Sequence, residues 1–307
     1  MNFELLKQTL EKNSINLDEQ FRRVFHGRGD FYEGFSFLTI DSINNILNVA
    51  FYKSIQEDEE IRLLDLLKQY ISTSRHTTIN LQRRYLSKAP SEVIVGTLAN
   101  DLFAIEDDLK FNIDLKSNQN NGYFPDMKKG RQYIQSIAKD KNVLNLFSYT
   151  CGFSLSASIA GASSVNNIDM SKGALSKGRN NHHLNNISTS NIHFGPYNIL
   201  KSFSRIRKKA PYDIIIIDPP TFQKGSFEAT KDYIKIIRRL EEISSENCVI
   251  LACLNSPFLS EDFLIDLFKE HCNSFNFGRR LENCQEFISI NEKKSLKNLI
   301  FTNNNAN

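Results

Sequence analysis

The segment "YDIIIIDPP" (residues 212–220) constrains the fold most, because four consecutive isoleucines run into Asp218-Pro219-Pro220. A strand that is apolar at every position must be covered on both faces. Other apolar stretches, such as "NVLNLFSY" and "CVILACL", alternate with helical patterns from residue 142 onward. This alternation predicts an α/β fold with a mostly parallel sheet between helices. The segments "FNFGRRLE" and "SLKNLIFT" predict an antiparallel pair that closes the sheet.

The first third of the chain follows a different pattern. Residues 1–25 have helical spacing and lead into the glycine-rich stretch "HGRGDFYEG". Short strand patterns then surround one helical stretch, "EDEEIRLLDLLKQYIS", which predicts a small α+β domain. The polar run "KSNQNNG" marks its end. We therefore expect an N-terminal helix and connection over 1–34, the α+β domain over 35–115, and the α/β domain over 116–307.

Composition excludes several classes of protein. No run of about 18 apolar residues is present, so we expect no membrane span. The N-terminus is charged and amphipathic and lacks an apolar h-region, so we expect no signal peptide. The five cysteines form no CxxC pair, which predicts no metal site and fits the cytoplasm. A net charge of +3 permits a nucleic-acid partner without requiring one. The basic segments 80–88 and 201–212 are candidates for phosphate contacts, although such runs are more often solvated surface.

Ligands of open α/β sheets bind beyond the carboxyl ends of the strands. The first such turn, "NLFSYTCGFS", contains one glycine, Gly152, where a dinucleotide-binding turn would contain three. Asp169 ends the next strand and is placed to bind a ribose diol. A ligand with ribose and adenine but no pyrophosphate fits this turn best, and S-adenosylmethionine (SAM) is such a ligand. A simple tight turn and a helix N-cap at Asp169 are the structural alternatives.

The Asp218-Pro219-Pro220 motif carries a further indication. Two prolines end the strand and stiffen the backbone at the edge where ligands bind. The carbonyl groups held there can accept hydrogen bonds from an amino group. A rigid strand terminator is the alternative interpretation.

Five segments in this order resemble a known family: "GYFPDMKKGR", "NLFSYTCGFSLSA", "NNIDMSKGAL", "GRNNHHLN" and "DPPTFQKGSF". They resemble the class I SAM-dependent methyltransferases of bacterial 23S rRNA, most closely the cytosine-C5 and guanine group. The upstream segments "RRVFHGRGD" and "QRRYLSKAPSE" extend the resemblance from about Phe21 to the C-terminus. It implies a Rossmann-like class I methyltransferase fold, SAM as cofactor and RNA as partner.

The resemblance also implies roles for individual positions. The turn after the first strand would surround the methionine part of SAM, and Asp169 would accept both ribose hydroxyls. Met170 would pack on the adenine, and the segment before the first strand would flank the amino-acid end. Asn198 stands where the family commonly has Asp, but its amide oxygen can still accept a hydrogen bond. The implied cofactor-binding residues are Asp126, Arg131, Phe147, Ser148, Tyr149, Gly152, Asp169, Met170 and Asn198.

Two acceptor chemistries remain open. For an exocyclic amine, Asp218 and the neighbouring carbonyl would polarise the amino group while Phe222 stacks on the base. For cytosine C5, the thiolate of Cys253 would first add to the ring. Leu254 stands where that signature has serine, so the sequence slightly favours a guanine nitrogen. The implied catalytic residues are Asp218, Pro219, Pro220, Phe222 and Cys253.

Other functions compete with this hypothesis. The chain could methylate a small molecule or a protein, with the N-terminal region only covering the cleft. It could also be a non-catalytic RNA-binding assembly factor that retains the fold. A nucleotide-dependent dehydrogenase is disfavoured because the additional glycines are missing. The sequence does not indicate an oligomeric state.

Overall fold

The computed structural model describes residues 1–15, 17–116, 120–220 and 227–303, and the backbone of 222–223. The chain divides into two compact units. Unit 1 comprises Met1–Pro125 and Cys284–Asn291, and unit 2 comprises Asp126–Asn283 and Glu292–Asn307.

Unit 1 is built on a five-stranded sheet of order β1-β2-β3-β4-β5. Only β3 and β4 run parallel, and helix α2 connects them. A separate hairpin, β6–β7, completes the unit. Its helices and strands are α1 (Phe3–Asn13), β1 (Arg22–His26), β2 (Leu38–Ile43), β3 (Ile46–Phe51), α2 (Glu57–Ser72), β4 (Thr78–Arg83), β5 (Ser91–Val95), β6 (Leu102–Glu106) and β7 (Leu109–Ile113).

Helix α2 covers the core of unit 1, and its sequence explains its bounds. Four acidic residues in the first turn complement the positive end of the helix dipole. Leu63, Leu67, Tyr70 and Ile71 recur at helical spacing and are buried. The helix predicted over this segment is confirmed.

The single helix predicted over residues 1–25 is wrong beyond Asn13. Residues Arg22–His26 form strand β1, which pairs with β2. Val24 and Phe25 are both buried, and such a short apolar pair suits a helix or a strand equally. Pairing with β2 decides between them, and the Asn13 side chain caps the carbonyl of Val24 at 2.8 Å.

A segment from the C-terminal part of the chain, residues 284–291, belongs to unit 1, which the sequence did not indicate. The Phe287 ring lies 5.3 Å from the His26 ring, and the Arg23 guanidinium group lies 5.0 Å from the Phe287 centroid. Arg23 also forms an ion pair with Asp41. At Gly29, whose carbonyl accepts from Ile290, the backbone approaches too closely for any side chain.

Unit 2 contains a seven-stranded sheet of order β10-β9-β8-β11-β14-β16-β15. The first five strands are parallel, and β16 runs antiparallel to both neighbours, which confirms the predicted α/β class and its closing pair. Its elements are α3 (Lys128–Ile137), β8 (Asn142–Leu146), α4 (Gly152–Ile159), β9 (Ser164–Ile168), α5 (Lys172–Leu184), β10 (Ile192–Gly195), α6 (Phe203–Arg207), β11 (Tyr212–Ile217), β12 (Phe222–Gln223), β13 (Phe227–Glu228), α7 (Ala229–Ile237), β14 (Ser244–Leu254), α8 (Asp262–His271), β15 (Asn276–Leu281) and β16 (Lys297–Thr302).

Strand β11 lies at the centre of this sheet and has a core on each face. Ile215 and Ile217 pack into one cluster with residues of α7 and α8. Ile214 and Ile216 pack into the other with residues of α3 and α4. This two-sided burial is what the run of four isoleucines requires.

A buried polar network links the sheet to helices α4 and α5. The Asn145 amide donates to Asn167 at 2.9 Å, and Asn167 donates to the Ser154 hydroxyl at 3.0 Å. The Ser154 hydroxyl also lies 3.0 Å from Nε2 of His182, whose Nδ1 lies 2.7 Å from the Gly178 carbonyl. Burial lowers the pKa of His182, so its ring is neutral and can donate through Nδ1 while accepting through Nε2.

We expect Ser154→Ala to lower the free energy of unfolding by about 1–3 kcal/mol, because the buried Asn167 amide nitrogen and Nε2 of His182 each lose their hydrogen bond to the Ser154 hydroxyl. Ser158→Ala on the same helix is the matched control. The Ser158 hydroxyl is buried and has no hydrogen-bond partner among the described residues, so its removal should be neutral or stabilising. Urea unfolding at pH 7 measures both; equal losses in the two variants would contradict the network's role.

Candidate active site

The turn between β8 and α4 has an unusual backbone. Phe147, Tyr149 and Cys151 adopt positive φ angles of 58°, 46° and 63°. Side chains disfavour this left-handed region, at a cost on the order of 1–3 kcal/mol for each residue. Such a backbone persists only where the surrounding contacts hold it.

Helix α5 supplies two of those contacts. The Asn181 amide donates to the Thr150 carbonyl at 3.0 Å. A Cβ atom at position 178 would lie 2.4 Å from the sulfur of Cys151, so only glycine lets α5 approach the turn this closely. Gly178 and Asn181 lie within the segment "GRNNHHLN", but their support of the turn depends on a tertiary contact that sequence spacing does not show.

Asp169 joins the ends of β8 and β9. One carboxylate oxygen accepts from the Tyr149 amide at 2.9 Å, and the other accepts from the Ser171 amide at 2.8 Å. Ser171 in turn caps helix α5 through the Ala174 amide, so the N-cap is Ser171 and not Asp169. A carboxylate offers about four lone pairs, so Asp169 retains capacity for two hydroxyl donors.

Met170 and Asn198 lie together beside Asp169. The Met170 side chain is 45% exposed, and its sulfur lies 3.5 Å from the Asn198 amide nitrogen. The Asn198 oxygen accepts from the Lys201 amide at 3.1 Å, which caps a short 3-10 turn. One lone pair of that oxygen remains for another donor.

Asp218 ends β11 within a group of charged residues. Burial raises the pKa of its carboxyl to about 7; Asp126 raises it further, and Arg131 opposes the shift. Arg131 is only 3% exposed and lies on α3, directly after the short 3-10 turn that holds Asp126. The structure therefore brings together the predicted residues Asp126, Arg131 and Asp218.

Cys253 lies near the end of β14 and is 1% exposed. Burial raises the pKa of its thiol well above the usual value, and the carboxyl groups of Asp218 and Asp126 raise it further. The hydroxyl of Tyr233 lies 3.0 Å from the Cys253 carbonyl and 3.1 Å from the Ile217 carbonyl. Tyr233, which the sequence did not single out, therefore ties together the ends of β11 and β14.

The remaining predicted residues follow strands β8 and β11. Gly152 begins α4, and Ser148 is buried, with its amide donating to the Ile168 carbonyl at 3.1 Å. Pro219 is buried and Pro220 is exposed. The side chain of Phe222 lies outside the described residues, so its predicted stacking role stays a prediction.

Comparison with known proteins decides the family. The sequence profile of a family described as S-adenosylmethionine-dependent methyltransferase matches residues 22–302. The chain belongs to this family. The family predicted from the sequence is confirmed, and SAM is the cofactor for which that family is named.

Two curated relatives are ribosomal RNA methyltransferases by name. Ribosomal RNA large subunit methyltransferase K/L of Pseudoalteromonas translucida is 32% identical over 67% of this chain and 30% of its own length. Ribosomal RNA large subunit methyltransferase I of Aeromonas salmonicida is 30% identical over 63% of this chain and 50% of its own length. The chain thus spans at most half the length of these two relatives.

Two solved structures share the fold. SMU.776, crystallised with SAH, matches with a TM-score of 0.85 at 24% identity. The alignment covers 97% of this chain and 79% of the SMU.776 chain. The SAM-dependent methyltransferase from Agrobacterium tumefaciens matches with a TM-score of 0.66 at 18% identity. The alignment covers 92% of this chain and 89% of the Agrobacterium chain. These likenesses confirm the predicted methyltransferase fold.

The described residues fit SAM in their donors and acceptors. Asp169 can accept from the two ribose hydroxyls, Met170 offers an exposed apolar side chain, and Arg131 has the planar geometry that suits a carboxylate. Within the ranges described, no cluster of His, Cys, Asp or Glu could hold a metal ion. Across the same ranges, no helix is long and apolar enough to cross a membrane.

The raised pKa of Asp218 makes stability depend on pH. Between the ordinary value of 3.8 and about 7, the folded protein keeps a proton that the unfolded chain has lost. Stability therefore falls as the pH rises through this range. We expect Asp218→Asn to raise Tm by a few degrees at pH 8 and to leave it unchanged near pH 4.

Asp266→Asn is the control, since Asp266 is exposed on α8 and should shift Tm little at either pH. Thermal unfolding followed by circular dichroism measures both variants. A lower Tm for Asp218→Asn at pH 8 would contradict the buried, proton-retaining carboxyl.

Proposed function

We propose that this protein transfers a methyl group from SAM to a base of large-subunit ribosomal RNA in the cytoplasm, with a guanine nitrogen as the acceptor. The observation that carries the proposal is the neighbouring placement of two sites. Asp169 follows β9 and Asp218 follows β11, and both strands pair with β8 in the parallel sheet. The names of the curated relatives support ribosomal RNA as the substrate.

We place SAM across the ends of β8 and β9. Asp169 accepts from the ribose hydroxyls, and the half-exposed Met170 packs on the adenine. The remaining lone pair of Asn198 accepts from the adenine amino group, as Asp does at this position in the family. Phe147, Ser148, Tyr149 and Gly152 shape the turn around the methionine part.

The amino-acid end of SAM lies beside Asp126 and Arg131 in this arrangement. Arg131 binds the carboxylate in a bidentate manner, and Asp126 accepts from the ammonium group. The ammonium group would also reduce the repulsion between Asp126 and Asp218. Bound SAM should therefore lower the pKa of Asp218 from about 7.

SAM supplies an electrophilic methyl group, so the protein chiefly has to align and desolvate the acceptor. The amino nitrogen forms a bond to the methyl carbon, the carbon–sulfur bond breaks, and the nitrogen loses a proton. Asp218 accepts a hydrogen bond from the amino group, and then that proton. Pro219 and Pro220 hold the adjacent backbone rigid.

Burial of Cys253 supports nitrogen over cytosine C5. Addition to the ring requires an accessible thiolate. The Cys253 thiol is 1% exposed, and two nearby carboxyl groups oppose its ionisation. It packs in the apolar cluster of α3 and α4 instead, together with Phe153 and Leu251.

Asp169→Ala should weaken SAM binding by about 1–3 kcal/mol, because the hydrogen bonds to the ribose are lost. The same change removes the carboxylate that accepts from the Tyr149 amide, so the fold must be checked by circular dichroism. Titration calorimetry with SAM and SAH measures the affinity, and Asp266→Asn serves as the control. Unchanged affinity in the alanine variant would refute the placement of the ribose.

Cys253→Ala tests the acceptor atom. Methyl transfer to unmodified 23S rRNA should stay within a few fold of the wild-type rate, since alanine leaves only a small cavity at this site. Single-turnover kinetics and calorimetry separate the chemical step from SAM binding. Loss of methyl transfer with normal SAM affinity would instead establish Cys253 as a nucleophile for cytosine C5.

A further inference from the structure

One edge of the unit 1 sheet gathers the ends of three strands. Strands β1 and β3 both run antiparallel to β2, and β4 runs parallel to β3. The carboxyl ends of β1, β3 and β4 therefore meet at the same edge. They are followed there by Arg28, Tyr52 and Arg84, respectively.

The two arginines are stacked on the tyrosine. The Arg28 guanidinium carbon lies 4.0 Å from the centroid of the Tyr52 ring, and that of Arg84 lies 5.2 Å from it. Arg84 is further fixed by Asn120, whose side-chain oxygen accepts at 3.1 Å. Stacking on an aromatic ring orients a guanidinium group without consuming its N–H donors.

The neighbouring Arg83 has a structural role at the same edge. It forms ion pairs with both Glu60 and Glu92. In contrast, among the residues that the structure describes, no carboxylate lies within ion-pair distance of Arg28 or Arg84. The local acidic residues Glu60 and Glu92 thus pair with Arg83, while the two stacked guanidinium groups remain available to another partner.

Two further cations extend the same edge. Lys53 directly follows Tyr52, and Lys88 lies in the turn between β4 and β5; both are exposed. A row of cations around an aromatic ring matches the backbone of RNA, in which phosphates follow one another at short spacing. Such a surface would bind the RNA backbone regardless of the base sequence.

From this geometry we propose that the edge formed by Arg28, Tyr52 and Arg84 is an RNA-binding surface, with the two guanidinium groups contacting phosphates. The inference rests on the proposed function, in which RNA is the substrate. It adds the surface of unit 1 that holds the RNA backbone, and it includes Arg28, which lies outside the region 35–115 predicted as the RNA-binding domain.

The test measures binding of the full chain to an unmodified 23S rRNA transcript at several salt concentrations. The double variant Arg28→Gln/Arg84→Gln should bind at least about ten-fold more weakly. Its slope of log K against log salt should fall by about 1.5, since each lost phosphate contact removes roughly 0.7 to 0.9. Affinity for SAM should not change.

Arg62→Gln is the matched control, because the exposed Arg62 is also stacked on an aromatic ring, that of Phe3 at 4.8 Å, but lies on helix α2. It should keep the wild-type affinity and slope. Tyr52→Leu should weaken binding several fold with little change of slope, since both charges remain, whereas Tyr52→Phe should bind as the wild type does.

The outcomes separate this inference from the proposed function. Wild-type affinity and slope in the double-arginine variant would overturn the assigned surface while leaving the proposed function intact. An equal loss in Arg62→Gln would also overturn it, because any loss of charge would then suffice. If the wild-type chain neither binds nor methylates the transcript, the proposed function fails, and this inference fails with it.

Discussion

The hydrogen bonds of the Asp169 carboxylate are the interaction on which the rest of the site depends. They join the strained turn after β8 to the start of α5, through the amides of Tyr149 and Ser171. Three left-handed residues in one turn would open without such contacts. The same carboxylate is the acceptor that we propose for the ribose, so in the proposed arrangement one group both shapes the turn and binds the cofactor.

Helix α5 holds the turn after β8 through further contacts. Gly178 lets the helix lie against Cys151, and Asn181 holds the Thr150 carbonyl. The buried link from Ser154 to His182 fixes the same helix against α4. Since Ser154, Asn181 and His182 are buried and form these hydrogen bonds, displacement of α5 would leave several buried polar groups unpaired. The turn is therefore set before any ligand binds, which reduces the ordering cost of binding.

Much of this arrangement was predictable from sequence, and the exceptions share one cause. The run of four isoleucines predicts a strand buried on both faces, and the positions of Asp169 and Asp218 follow from where strands end. The sequence predicts helix where strand β1 lies, because its short apolar pair fits either period. The contacts of Gly178 and Arg28 join residues far apart in the chain, and spacing within a single sequence does not reveal such pairs.

Transfer of a labelled methyl group would identify both the substrate and the acceptor atom. The wild-type chain would be incubated with SAM carrying a labelled methyl group and with unmodified 23S rRNA, and the RNA would then be digested to nucleosides. We expect label in a guanosine methylated on nitrogen. Label in 5-methylcytidine would contradict the assigned acceptor atom, and the absence of label from RNA would contradict the proposed substrate.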